Sequence, residues 1–183
     1  SGLIKPSDIQ SLMDAASRIY DSPMYIVDVP NIKLLDLRSL ARRMKSEKDV
    51  KVIFIDYLTL ITHENADLPR WEQISSISRS LKALARELRI PVIALSQLKR
   101  EAEGKQPSLA DLRESGSIEQ DADLIMFLHR DRDIDKRKDE RAPYTPTDLL
   151  VAKHRNGPVG KVELLFFNKI TRFESLEKER AEH

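Results

Sequence analysis

The 183-residue sequence has no cysteine, only five glycines and no long apolar run. Without cysteine, disulfide bridges and thiolate metal sites are excluded. None of the five glycines opens the pattern G-x-x-x-x-G-K-[ST], which forms a phosphate-binding loop in many nucleotide-driven proteins. No stretch approaches the ~20 apolar residues of a membrane helix, and the first residues lack a signal-peptide profile. A cytosolic location is therefore the simplest interpretation.

The composition is that of a globular protein, with 40% hydrophobic and 33% charged residues. The length is close to the common size of one domain, so residues 1–183 are expected to form a single domain. The net charge of +1 argues neither for nor against nucleic-acid binding, because clustered cations can form a binding surface in a protein that is nearly neutral.

The first half of the sequence alternates helical and strand patterns. Helices are predicted from about residue 6 to residue 20, from a cap at Asn31 onwards, and along the apolar face from Trp71 to Leu88. Strands are predicted at residues 24–29, 52–55 and 91–97, the second buried on both faces and the third also buried. Such alternation requires crossover connections, so the predicted fold class is α/β with a mostly parallel sheet and helices on both faces.

The second half has a different character. A polar loop at residues 98–107 leads to a short helix or turn that Ser108 and Asp111 could cap as a box. A strand at residues 123–130 and a charged loop at residues 131–146 follow. Asn156-Gly157 then predicts the turn of an antiparallel hairpin, and residues 175–183 are expected to be a frayed tail.

Two polar residues lie at the carboxyl ends of apolar strands of the predicted sheet. Asp56 comes directly after the strand at residues 52–55, and Gln97 ends the next strand. Asp56 could simply cap the following turn. Its pairing with Gln97 favours a shared polar ligand, because ligands collect at the carboxyl edge of open α/β sheets and an unpartnered buried polar group costs about 1 to 3 kcal/mol.

Lys153 and Arg155 are two residues apart on a predicted strand, so both should lie on one face near the hairpin turn. They could form a solvated hairpin end or recognise phosphate, for which a guanidinium offers forked donors. His154 faces the opposite way and has no identifiable catalytic partner.

Two polar segments are weaker candidates for binding. In the segment at residues 111–123, Gly116 would permit a tight turn, and Ser117 with Gln120 could cap a short helix that forms an anion site with Arg113. The loop that holds Lys99, Arg100 and Lys105 also contains two glutamates, so alone it resembles a solvated loop more than a nucleic-acid groove.

Together these segments resemble the C-terminal RecA-like motor domain of DnaB-type replicative DNA helicases over essentially the whole chain. Four blocks carry the resemblance, in the order VIFIDYLTLI, SRSLKALARELRIPVIALSQL, DLRESGSIEQDADLIMFLHRD and VAKHRNGPVGKVELLF. The resemblance implies an enzyme that couples ATP hydrolysis to translocation on single-stranded DNA and to duplex unwinding. A third possibility, a recombinase or clock-type relative, fits the block RESGSIEQDAD less well.

The resemblance also assigns roles to residues. Asp56 resembles the Walker B aspartate that holds Mg²⁺ through water, and Gln97 resembles the glutamine that senses the γ-phosphate of ATP. Lys153 and Arg155 match the lysine and the arginine finger that reach the neighbouring subunit's ATP, where the finger neutralises charge on the transferred phosphoryl group. The channel for single-stranded DNA is lined, by the same resemblance, by Lys99, Arg100, Lys105, Arg113, Glu114 and Gly116.

A finger that acts in trans implies a ring, because head-to-tail interfaces close into rings, and the resemblance implies that this ring is a homo-hexamer. The family also implies a primase and a helicase loader as partners, at a bacterial or phage replication fork in the cytoplasm. Its phosphate loop and catalytic glutamate lie upstream of the region that this chain resembles.

The expected fold is therefore a RecA-like P-loop NTPase sheet, mostly parallel with a C-terminal antiparallel hairpin, that lacks the phosphate-loop strand. The vacant position falls between the strands at residues 91–97 and 123–130, and the glutamate strand is missing beside residues 24–29. The isolated chain is expected not to hydrolyse ATP. The alternative is a non-catalytic RecA-like module that binds DNA or protein, against which the four ATP-site groups Asp56, Gln97, Lys153 and Arg155 argue.

Overall fold

The computed structural model describes residues 5–99, 102, 104–112, 116–130 and 143–176. The chain divides into two compact units, Ser1–Pro30 and Asn31–His183. In the first unit, helix α1 spans Pro6–Tyr20 as the sequence predicts. The backbone N–H of Lys5 donates to the Asp8 carboxylate at 3.2 Å, so the start of the helix is capped.

The strand predicted at residues 24–29 is wrong. This segment forms no backbone ladder, and the side chain of Ile26 is 80% exposed. A strand is stabilised by the backbone groups of a neighbouring strand, and no residue that the structure describes supplies such a neighbour here.

The second unit contains three helices and six strands among its described residues. In chain order they are α2 (Leu34–Lys48), β1 (Ile53–Ile55), α3 (Arg70–Leu88), β2 (Val92–Ala94), α4 (Gly116–Asp121), β3 (Leu124–His129), β4 (Thr145–His154), β5 (Gly160–Phe167) and β6 (Arg172–Ser175). Short 3-10 helices lie at Leu58–Leu60 and Leu109–Asp111. None of the helices in the described ranges has the length and apolar character needed to cross a bilayer.

The strands form two separate sheets. Strands β1 and β2 are parallel, with Ile55 opposite Ala94. The other four strands form an antiparallel sheet in the order β3-β4-β5-β6. In the described part of the chain β2 and β3 belong to different sheets; the sequence predicted a vacant strand position between them. The fold is thus α/β with a parallel part and an antiparallel hairpin, and β6 is an additional strand that the sequence pattern did not reveal.

The main core lies between α2, α3 and the β1-β2 pair. The predicted apolar face of α3 is buried from Ile74 to Leu84, and Ile77 is fully inaccessible to solvent, but Trp71 at its start is 59% exposed. A second cluster lies beneath β3 and β4, and Ile118 of α4 packs against both clusters. The strand at residues 52–55 was expected to be buried on both faces, but Phe54 is 67% exposed, because within the described residues helices cover only the opposite face.

Two local predictions are also corrected. Asn31 does not cap α2, which begins after Lys33; instead the Glu64 carboxylate accepts a hydrogen bond from the backbone N–H of Leu35 at 2.7 Å. Most of the predicted loop at residues 131–146 lies outside the described residues, and its last two residues belong to β4, which begins at Thr145. Pro146 is tolerated there since it pairs with β5 alone and lies beyond the end of β3.

Candidate functional site

Asp56 and Gln97 lie at the carboxyl edge of the β1-β2 pair. Asp56 follows the last residue of β1, and its side chain is exposed. The backbone N–H of Leu95 donates to Ile55 at 2.9 Å, and that of Leu58 donates to Leu95 at 2.8 Å. These bonds hold the segments that leave the two strands side by side. Gln97, two residues further along, is also exposed, so both polar side chains leave the same edge.

The chemistry of this edge fits a magnesium ion only in part. Mg²⁺ prefers oxygen ligands and is commonly held by one or two carboxylates together with substrate phosphates and water. The Asp56 carboxylate is a group of that kind and could hold the ion through a water molecule. Within the described ranges there is no group of three or more histidine, aspartate or glutamate side chains that could hold a metal ion, and Asp56 is the carboxylate that lies at this edge.

Lys153 and Arg155 both reach the carboxyl end of α4, although Arg155 lies in the turn that follows β4 and not on the strand. The Lys153 ammonium donates to the carbonyl of Glu119, and Arg155 Nη2 donates to the carbonyl of Gln120 at 3.1 Å. The last carbonyls of a helix have no partner within the helix and carry partial negative charge, so cations there are favourable. Each residue therefore has a contact within its own chain.

Arg155 also contacts Asp123, the residue before β3. The backbone N–H of Arg155 donates to the Asp123 carbonyl at 2.8 Å, and Nη1 lies 3.3 Å from the carboxylate. The same carboxylate accepts from the Lys82 ammonium on α3. The pKa of Asp123 is lowered, first by the hydrogen bond from Lys82 and further by the charges of Lys82, Arg155 and Arg86, so the carboxyl stays ionised.

Lys82 and Asp123 were not among the predicted site residues. One available signal was the polar stripe on α3 at Ser75, Ser78 and Lys82, which has helical spacing beside the apolar face. This stripe meets α4, since the hydroxyls of Ser75 and Ser117 are 2.9 Å apart. Ser117 lies within α4 and therefore does not act as the predicted cap.

The predicted DNA-contacting residues are placed only in part. The Lys99 ammonium donates to the carbonyl of Ala110 at 2.7 Å, and Lys105 is exposed. Both cations, after the hydrogen bonds from Ser108, help to lower the pKa of Asp111, so they lie on the same loop system. Arg100, Arg113 and Glu114 lie outside the described residues.

A β-bridge and a capping box lie in this loop system, whose ends are Leu98 and Leu112. Leu98 and Leu112 form an antiparallel bridge that ties its two ends together. The predicted box at Ser108 is confirmed, since its backbone N–H and hydroxyl both donate to the Asp111 carboxylate, at 2.8 and 2.6 Å. Gly116 starts α4 without a positive φ, so its predicted role in a tight turn is not supported; in the described ranges Gly104, at φ 80°, is the glycine with that conformation.

A parallel strand pair with an acid and an amide at its carboxyl edge, followed by an antiparallel sheet that carries cations, is the arrangement of a RecA-like α/β domain. Solved structures show the same fold. A DnaB-like replicative helicase, described together with its interactions with primase, superposes with a TM-score of 0.82 at 39% identity, covering 94% of this chain and 42% of that chain. A second solved ATPase domain gives 0.81 at 40% identity, covering 93% of this chain and 61% of that one.

The chain belongs to the family described as the DnaB-like helicase C terminal domain, whose profile matches residues 1–175. It is 55% identical over 172 residues to the replicative DNA helicase DnaB of Treponema pallidum (strain Nichols), covering 94% of this chain and 37% of that protein. It is 44% identical over 182 residues to the protein of the same name from Geobacillus stearothermophilus, covering 97% and 39%. The chain thus spans less than two fifths of the length of these relatives.

Proposed function

We propose that this chain is part of a replicative DNA helicase that couples ATP hydrolysis to translocation on single-stranded DNA and to unwinding of the duplex. The observation that carries the proposal is the position of Asp56 and Gln97 at one carboxyl edge, in a chain of this helicase family. An acid and an amide at that edge can hold a magnesium nucleotide and respond to its terminal phosphate.

In this proposal Asp56 holds Mg²⁺ through water, and Gln97 senses the γ-phosphate of ATP. Lys153 and Arg155 reach the ATP of the next subunit in a homo-hexamer. The Arg155 side chain remains 45% exposed, which leaves N–H donors available for a phosphate supplied by a neighbour. When bound, Mg²⁺ would neutralise charge on the transferred phosphoryl group.

Single-stranded DNA is proposed to contact the loop system through its phosphates. The residues assigned to this contact are Lys99, Arg100, Lys105, Arg113, Glu114 and Gly116. Such contacts are tolerant of sequence and sensitive to salt. Binding to a primase, which a structural relative is described with, and to a helicase loader at a cytoplasmic replication fork belongs to the same proposal.

Phosphate release by the full polypeptide that contains this chain tests the catalytic part. Asp56→Asn should lower release stimulated by single-stranded DNA by at least about 100-fold, because the carboxylate that orders the metal is lost. Asp148→Asn is the matched control, since it neutralises an aspartate that pairs with Lys161 on the antiparallel sheet. Equal activity of the two variants would refute the role of Asp56.

A mixing experiment tests action between subunits. Asp56→Asn and Arg155→Ala polypeptides should each be inactive alone, with about 10³-fold loss for the finger variant. Mixed hexamers should recover activity, because an interface between an intact Asp56 and an intact Arg155 then forms. Two inactive variants that stay inactive after subunit exchange would show that Arg155 does not act in trans.

We also propose that the 183-residue chain alone does not hydrolyse ATP, since it contains no G-x-x-x-x-G-K-[ST] pattern. Turnover by the isolated chain that disappears in the Asp56→Asn variant would contradict this. The alternative function, a non-catalytic module that binds DNA or protein, is favoured by the contacts of Lys153 and Arg155 within their own chain. It predicts DNA binding that is indifferent to Asp56→Asn and to added nucleotide.

A further inference from the structure

The carboxylate of Asp123 lies between two cations that come from distant parts of the chain. One oxygen, Oδ2, accepts from the Lys82 ammonium of α3, and the other, Oδ1, lies 3.3 Å from Arg155 Nη1. Asp123 is half exposed, whereas the Lys82 side chain is only 18% exposed. The carboxylate therefore joins a mostly buried anchor on a helix to an accessible guanidinium.

Three contacts hold Arg155, one at its backbone N–H and two at its guanidinium group. Its backbone N–H donates to the Asp123 carbonyl at 2.8 Å, its Nη2 donates to the Gln120 carbonyl at 3.1 Å, and its Nη1 faces the Asp123 carboxylate. A planar guanidinium that meets acceptors on two nitrogens has a defined plane and direction. The half-exposed remainder of the group is then presented in one orientation.

The Lys82 side chain is charged and belongs to a helix that packs in the core. Lys82 belongs to the 19-residue helix α3, whose neighbouring residues Ile77, Ser78 and Leu81 are buried. A lysine held in that position donates to Oδ2 of Asp123 and favours the ionised carboxylate, whose pKa is lowered first by this hydrogen bond. Without the carboxylate, the Lys82 ammonium would lose its partner at a mostly buried position.

We propose that Asp123, anchored by Lys82, is a positioning residue for Arg155: it sets the orientation in which the guanidinium meets the nucleotide of a neighbouring subunit. This inference rests on the proposed function of Arg155. Because Asp123 acts through Arg155, its loss should affect the catalytic step, where orientation matters, much more than the binding of ATP.

The test uses the full polypeptide that contains this chain, with ATP hydrolysis stimulated by single-stranded DNA. Asp123→Asn keeps the shape of the side chain and removes its charge, and it should lower kcat by about 10-fold while KM for ATP changes by less than about 2-fold. Asp148→Asn, which neutralises an aspartate at the same 3.3 Å from its cation, should leave both parameters within about 2-fold.

Two further variants separate the possible outcomes. Lys82→Met should lower kcat in the same way, so it decides the matter if the Asp123 variant does not fold. In the double variant Asp123→Asn/Arg155→Ala, kcat should equal that of Arg155→Ala alone, because Asp123 has no route to the reaction without Arg155.

Each contrary result has a distinct meaning. If Arg155→Ala keeps its kcat, the proposed function of Arg155 fails and this inference fails with it. If Arg155→Ala is inactive while Asp123→Asn and Lys82→Met keep kcat within about 2-fold, only the positioning role is overturned. The positioning role would also be overturned if the loss of kcat in the double variant equalled the product of the losses in the two single variants, because Asp123 would then act independently of Arg155.

Discussion

Replacing Ile118 by alanine should destabilise the larger unit by about 2 kcal/mol. Ile118 is half-buried on α4 and packs against both hydrophobic clusters. The substitution removes three carbons at roughly 0.8 kcal/mol for each buried group, which gives about 2.4 kcal/mol before the partial exposure is allowed for. With a typical urea dependence of about 2 kcal/mol per molar, the unfolding midpoint should fall by about 1 M.

Urea unfolding followed by far-UV circular dichroism and by the fluorescence of Trp71, the single tryptophan, measures this loss. Ile170→Ala is the matched control, because Ile170 is 64% exposed and should cost less than about 0.5 kcal/mol. Equal losses in the two variants would refute the reasoning that Ile118 joins the clusters. Since α4 supplies the carbonyls that hold Lys153 and Arg155, the same variant tests whether packing supports the site.

Three further outcomes are expected. The pKa of Asp49 is lowered to about 2 by hydrogen bonds from two lysines. The ionised carboxylate therefore stabilises the fold above pH 3.8, the ordinary pKa of an aspartate, and this contribution is lost as the pH falls towards 2. The thermal midpoint of Asp49→Asn should differ from that of the parent at pH 5 and converge with it near pH 2. Thr171 has a φ of 51°, which a β-branched residue rarely adopts, so Thr171→Gly should stabilise the chain by about 0.5 to 1 kcal/mol in urea unfolding. A β-carbon at Gly157 would lie 2.3 Å from the exposed His154 ring, which would have to turn away from the Pro158 carbonyl, so Gly157→Ala should lower the thermal midpoint slightly, and adding His154→Ala should remove that difference.

Much of the fold follows from local sequence patterns. The spacing of Ile74, Ile77, Leu81 and Leu84 predicted a helix with one apolar face, and all four are buried on α3. Asn156-Gly157 predicted the hairpin turn between β4 and β5. These signals are local, because helix periodicity and turn chemistry depend on residues that are close together in the chain.

The errors concern features that depend on distant partners. The segment at residues 24–29 has the composition of a strand, but a strand also needs a neighbour to bond with. The cap of α2 comes from Glu64, which accepts a hydrogen bond from the backbone N–H of Leu35, 29 residues earlier, and not from the nearby Asn31. Phe54 is apolar enough for a core, yet its exposure depends on which elements cover the sheet.

The sequence by itself determined the family, the helices and the two polar residues at the carboxyl edge of the parallel pair, because motif order and periodicity are written along the chain. Only the tertiary structure decided that Arg155 meets Asp123 and that Asp123 meets Lys82, a residue 41 positions earlier. No local pattern encodes these two contacts, because they form only when α3 packs against α4 and Lys82 on α3 comes beside the end of β4. The setting of the candidate finger is therefore a property of the folded chain.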